Sequence, residues 1–143
     1  MVEVERVNMT LLDKLHNDDC EIRIEAVHEI RDQRLLFEVI MKDTNYNVRE
    51  TAYSMLYDQE LIAYVIVENS NVRYWQGKDI LGHNAVEKLT DQRWLTYVAK
   101  TSPNVYVRFE AVERLTDRFI LQEIANNDDE PNVRYLAQLK LNK

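Results

Sequence analysis

The chain has 143 residues, of which 45% are hydrophobic and 30% charged, and its 25 acidic against 18 basic side chains give a formal net charge of -7. That length suits one domain, the composition excludes a disordered or membrane-spanning chain, and the acidic balance disfavours phosphate backbones as partners, so nucleic acid is not expected. Two glycines and two prolines leave little material for hairpin turns or phosphate-cradling loops, so helices are expected throughout.

Met1 to Arg6 alternates valine with glutamate and lacks the basic-then-apolar order of a secretory signal. Cys20 has no second cysteine to pair with and suits a reducing compartment. A cytoplasmic location is the expectation. A short helix around Asn8 to Leu15 then precedes the first of four segments that align with one another: residues 22–33, 48–59, 81–92 and 107–118. A fifth copy begins at Val133-Arg134-Tyr135-Leu136-Ala137. The register is carried by Ala26, Ala52, Ala85, Ala111 and Ala137, whose spacings are 26, 33, 26 and 26, so one copy has gained seven residues.

Each copy predicts two short helices. In the fourth, Val107, Ala111, Val112 and Leu115 share one face, and after Asp117 a second stripe follows through Ile120, Leu121, Ile124 and Ala125. Asp32, Asp58, Asp91 and Asp117 stand where the second helix of each copy begins, the place for a carboxylate that accepts from first-turn amides. Acidic, asparagine-rich joints such as 17–19, 42–45 and 126–131 separate the copies, and Pro103 and Pro131 fall just before first helices. Neither helix of a pair can shield its apolar stripe alone, so the pairs are expected to stack on their neighbours along a continuous core.

The pattern Val-Arg-x-x-Ala-Val-x-x-Leu-Thr-Asp followed by Leu-x-x-Ile-Ala resembles the short bacterial and archaeal HEAT-like repeats, from about Leu11 onward. The resemblance implies an all-α, right-handed α-α superhelix. It would occupy residues 1–143 as one domain, with partial copies at about 1–20 and 132–143 around repeats at 21–46, 47–79, 80–105 and 106–131. It further implies a structural ladder between repeats, made by Arg23, Arg49, Arg108 and Arg134 with Asp32, Asp58, Asp91 and Asp117. Gly82 replaces the arginine in the third copy and interrupts the pattern.

Two places suggest function. The segment 68–82 combines the seven-residue gain, both glycines and the missing arginine, and offers Arg73, Tyr74 and Trp75 as binding residues beside the alternative of an adjustment in superhelix curvature. The second helices, which in related solenoids line the concave surface, present Phe37, Tyr64, Trp94 and Tyr97. Tyr64 and Tyr97 each follow the capping aspartate by six residues, and recurring aromatic side chains make good interface anchors that also serve for packing. Trp94 stands in for Leu35, Leu61 and Ile120 and reads as core.

His16, His28 and His83 show no metal-ligand spacing, and no nucleophile-and-base arrangement, phosphate loop or dinucleotide fingerprint is present, so neither metal nor cofactor nor catalysis is expected. The expectation is a non-enzymatic interaction or scaffold module that binds a protein or peptide through its concave face. Leu136, Leu139 and Leu141 of the last helix are candidates for a homodimer contact. The HEAT-like resemblance also implies the alternative of an alkylpurine DNA glycosylase-like enzyme, or of a bilin-lyase-like protein that handles a ligand.

Overall fold

The computed structural model describes residues 9–69 and 85–143. Among the described residues the regular elements are all helical: α1 (Leu11–Leu15), α2 (Cys20–Glu29), α3 (Gln33–Lys42), α4 (Tyr46–Met55), α5 (Gln59–Asn69), a 3-10 turn (Ala85–Lys88), α6 (Gln92–Thr101), α7 (Val105–Arg114), α8 (Arg118–Asn127) and α9 (Pro131–Leu141). None of these helices is long and apolar enough to cross a membrane. Contacts gather the chain into two compact units, Met1–Tyr57 with α1 to α4 and Asp58–Lys143 with the remaining elements.

The helices start where short polar side chains can hold their first amides. Asp32, Asp91 and Asp117 cap α3, α6 and α8, and Asp58 accepts from Leu61 N at the start of α5. Asp19, Asn45 and Asn104 do the same for α2, α4 and α7, while α9 opens with Pro131 in its first turn and no side-chain cap. α1 carries a reciprocal cap, with Thr10 and Asp13 each accepting from the other's backbone N–H.

The core repeats with the sequence. Ala26, Ala52, Ala85, Ala111 and Ala137 are all buried, and so are the residues one and four places after the first four of them: Val27 and Ile30, Tyr53 and Leu56, Val86 and Leu89, Val112 and Leu115. A methyl group at the alanine station lets neighbouring backbones approach closely, and the larger side chains fill the space beside it. Tyr53 is the one aromatic member, and burial pushes its phenol well above the ordinary tyrosine range. In the third copy the station is held by the 3-10 turn, closed by Leu89 N donating to Val86 O at 3.0 Å.

In the first unit α1 packs on α2, α3 on α4, and α2 on α4; in the second, α5 packs on α6, α6 on α7, α8 on α9, and α7 on α9. The most extensive pairings are those joined by the polar joints between copies, namely α3 with α4, α6 with α7 and α8 with α9. The two-helix hairpin therefore falls one helix out of phase with the sequence reading, which paired the helices on either side of each capping aspartate.

Candidate interaction surface

Two sets of hydrogen bonds hold the helices that present the surface. The first lies at the polar joints between copies. Asn17, Asp43, Ser102 and Asp128 each accept, through the side chain, from the amide two residues on (2.8, 2.9, 3.2 and 2.9 Å), which sets up the residue that opens the next helix. Their carbonyl oxygens accept from the arginine six residues on, Arg23, Arg49, Arg108 and Arg134. Arg23 then turns its fork to Asp43 and Arg108 to Asp128, with Nε–Oδ2 distances of 2.9 and 3.0 Å.

These arginines thus serve the joints, a correction to the expected partnership of Arg23 and Arg108 with the aspartates that open the second helices. Arg23 lies near the start of α2, about 9 Å along the axis from its last residue, and Asp32 lies beyond that end, whereas Asp43 holds the Arg23 guanidinium directly. Asp32, Asp58, Asp91 and Asp117 accept from first-turn amides at the caps described above. Asp91 also holds Arg93 (2.9 Å), and that arginine's hydrogen bond keeps its carboxyl below the usual carboxylate range.

The second set was not anticipated from the sequence. Gln33, Gln59 and Gln92, the first residues of α3, α5 and α6, each bridge to the turn that precedes the second helix of the next copy. Gln33 accepts from Tyr57 N (2.7 Å) and donates to Met55 O (3.4 Å); Gln92 accepts from Thr116 N (3.0 Å) and donates to Arg114 O (3.0 Å). Gln59 accepts from both Thr90 N and Asp91 N (2.8 and 3.0 Å) and donates to Lys88 O (2.9 Å). The recurring Asp-Gln pairs at 32–33, 58–59 and 91–92 carried this signal, and Arg118, in the same place of the fourth copy, reaches Leu141 O at 2.7 Å.

Held in this way, α5 and α6 bring Tyr64, Trp94 and Tyr97 into one partly buried triangle. Ring centroids are 5.7 Å apart for Tyr64–Trp94 and 5.8 Å for each of the other two pairs, with interplanar angles of 78, 78 and 79°. All three contacts are edge-to-face, the arrangement that sets the positive rim of one ring against the negative face of another. The Tyr64 hydroxyl donates to Glu60 Oε1 at 2.9 Å, and Glu68 lies one turn further along α5, exposed. Trp94, read from sequence as core, is only partly buried and belongs to the triangle.

The other candidates fall elsewhere. Phe37 is partly buried on α3, in the first unit. Arg73, Tyr74 and Trp75 lie outside the described residues. On α9, Leu139 is exposed and Leu136 and Leu141 are partly so, beside Tyr135 at 65% exposure, which the sequence reading did not single out. An open cleft of about 500 Å³ is lined by Val86, Glu87, Glu110, Glu113 and Arg114. Within it, desolvation, reinforced by Glu113 and Glu87, raises Glu110 to about 7. A groove of about 300 Å³ lies between α6 and α8, and the Lys100–Glu123 ion pair forms part of its lining. Among the described residues, no three His, Cys, Asp or Glu side chains gather as a metal-holding group.

Comparisons with protein-family models, with curated proteins and with solved structures returned no match.

Proposed function

We propose that the chain is a non-enzymatic protein-interaction module, a HEAT-like α-solenoid that binds a protein or peptide through the surface of its second helices. The triangle of Tyr64, Trp94 and Tyr97 carries this reading. Three large rings from two helices meet on one patch and remain in part open to solvent. Clustered aromatic side chains bury much area at little loss of rotamer freedom, which is why they anchor interfaces. The repeated alanine stations support the stacked architecture, in which each pair leans on the next and leaves a long face available.

The test is capture of the native partner from its own cells by the unaltered chain and by a Tyr64→Ala/Tyr97→Ala variant, with helical content followed in parallel. Loss of the captured protein with helicity retained is expected. Equal capture by both chains overturns the reading, and collapse of the helical signal instead assigns the two tyrosines to packing.

A further inference from the structure

We propose that the surface around Tyr64, Trp94 and Tyr97 takes a basic peptide segment of a protein partner, an arginine lying over a ring face while neighbouring cations meet Glu60 and Glu68. This deepens the functional reading above and rests on it.

Geometry supplies the first reason. The three ring planes are close to mutually perpendicular, at 78, 78 and 79°. Three such planes share no common direction, so no approaching group can lie edge-on to all of the rings at once, and the partly exposed cluster can offer inclined ring surface to it. Ring faces are electron-rich and attract cations, and a guanidinium, planar and weakly hydrated, stacks on them better than an ammonium.

Charge supplies the second. The cations of α6 near the patch are already committed: Arg93 to Asp91 at 2.9 Å and Lys100 to Glu123. Glu60 and Glu68, exposed on α5 on either side of Tyr64, form no ion pair among the described residues. The Tyr64 hydroxyl donates to Glu60, which leaves that carboxylate's remaining acceptor sites for a second donor from outside. A net charge of -7 repels an acidic segment and steers a basic one in. An apolar or acidic partner would leave these carboxylates uncompensated beside a desolvated patch.

The experiment uses the full chain carrying Trp75→Phe, so that Trp94 is the sole indole reporter. Its fluorescence is titrated with short peptides of alternating arginine and glycine, and with matched peptides carrying glutamine or glutamate in place of arginine. The arginine peptide is expected to give a saturable change that weakens with added salt, and the glutamine and glutamate peptides none. Glu60→Gln/Glu68→Gln should raise Kd about tenfold, the sum of two exposed charge pairs. Glu21→Gln/Glu50→Gln, an equal charge change on α2 and α4, should leave Kd unaltered.

Equal binding of arginine and glutamine peptides overturns the proposal, as does equal weakening by the two double variants. A stronger response to a single-stranded oligonucleotide overturns it in favour of nucleic acid. A Trp94 signal that varies with chain concentration alone overturns it in favour of a second copy. Helical content of Glu60→Gln/Glu68→Gln is expected to equal that of the parent, because both sites are exposed. If Tyr64→Ala/Tyr97→Ala loses the native partner while Glu60→Gln/Glu68→Gln keeps it, the interaction module stands and its basic specificity falls.

Discussion

Arg23 and Asp43 lie twenty residues apart and meet through two parallel bonds, Nε to Oδ2 at 2.9 Å and Nη2 to Oδ1 at 3.2 Å, with side-chain exposures of 13% and 9%. Arg108 and Asp128 repeat the arrangement at 3.0 and 3.1 Å, with exposures of 12% and 8%. An aspartate so placed serves three groups at once: its carboxylate accepts from the guanidinium of the preceding first helix and from the amide two residues on, and its backbone carbonyl accepts from the arginine that follows. Asp128→Ala leaves Arg108 with an uncompensated charge in a largely dry position, and a loss of about 3 kcal/mol is expected. Asp117→Ala, which removes only an exposed helix cap, should cost about 1 kcal/mol. Chemical denaturation of the two variants measures the difference; near-equal losses would show that the joint adds nothing beyond its cap.

Gln92 offers a sharper probe, because its amide uses both ends, accepting from Thr116 N and donating to Arg114 O. Gln92→Ala should lower stability by about 1 to 2 kcal/mol, for two bonds to backbone groups of which one is partly buried. Gln92→Glu retains the acceptor but turns a carboxylate oxygen toward the Arg114 carbonyl, so it should be at least as damaging despite its near-identical shape. If Gln92→Glu proves harmless in a thermal melt at neutral pH, the bridge is dispensable.

The stations of the core were legible in the sequence because one residue type marks them: a buried alanine at 26, 52, 85, 111 and 137 has no substitute of other size. The caps were legible for the same reason, with aspartate at all four second-helix starts. The arginine's partner was not, since its position varies chemically, as Asn17, Asp43, Ser102 and Asp128, and only two of these four carry the carboxylate that forms the ion pair. All four still serve the joint's turn by different chemistry, an amide, a hydroxyl and two carboxylates. The glutamines were in plain view beside the capping aspartates, but a neutral polar residue at a helix start has an obvious solvated role and gave no reason to look across to the next copy. At the candidate site, spacing singled out Tyr64 and Tyr97. Trp94 was assigned to the core because its counterparts are the apolar Leu35, Leu61 and Ile120, but of these only Leu61 is buried, and Leu35 and Ile120 are partly exposed like Trp94 itself, which alignment cannot show.

That substitution suggests its own test. Trp94→Leu restores the residue type of two sister copies, so the fold should survive with a loss of about 1 to 2 kcal/mol, the worth of two edge-to-face contacts. Partner capture should fall sharply, since the indole supplies the widest face of the triangle. A variant that loses most of its helical signal would place Trp94 in the core after all, and one that keeps full capture would remove it from the interface.

Glu110 should make stability depend on pH in the direction opposite to a salt-bridged carboxylate. It sits on α7, half-buried, facing Glu87 of the 3-10 turn and Glu113 of its own helix, with Arg114 as the countering charge, while Lys140 of α9 donates to Glu113 O at 2.6 Å. Desolvation first, then repulsion from Glu113 and Glu87, lifts it from about 4.5 to about 7. Between those values the folded chain holds a proton that the unfolded chain has released, so stability falls as pH rises through that window and the full penalty applies above it. Glu110→Gln cannot ionise, and it should stabilise the chain at pH values above about 7 by on the order of 1 kcal/mol, a figure reduced from the nominal shift because the group is part-exposed and solvent-screened. At pH values below about 4 both chains are neutral at this position, and their stabilities should converge. Denaturation curves across that range decide the matter: a gap between variant and parent that stays constant with pH would mean that the substituted side chain merely packs differently, and that the charge of Glu110 contributes nothing.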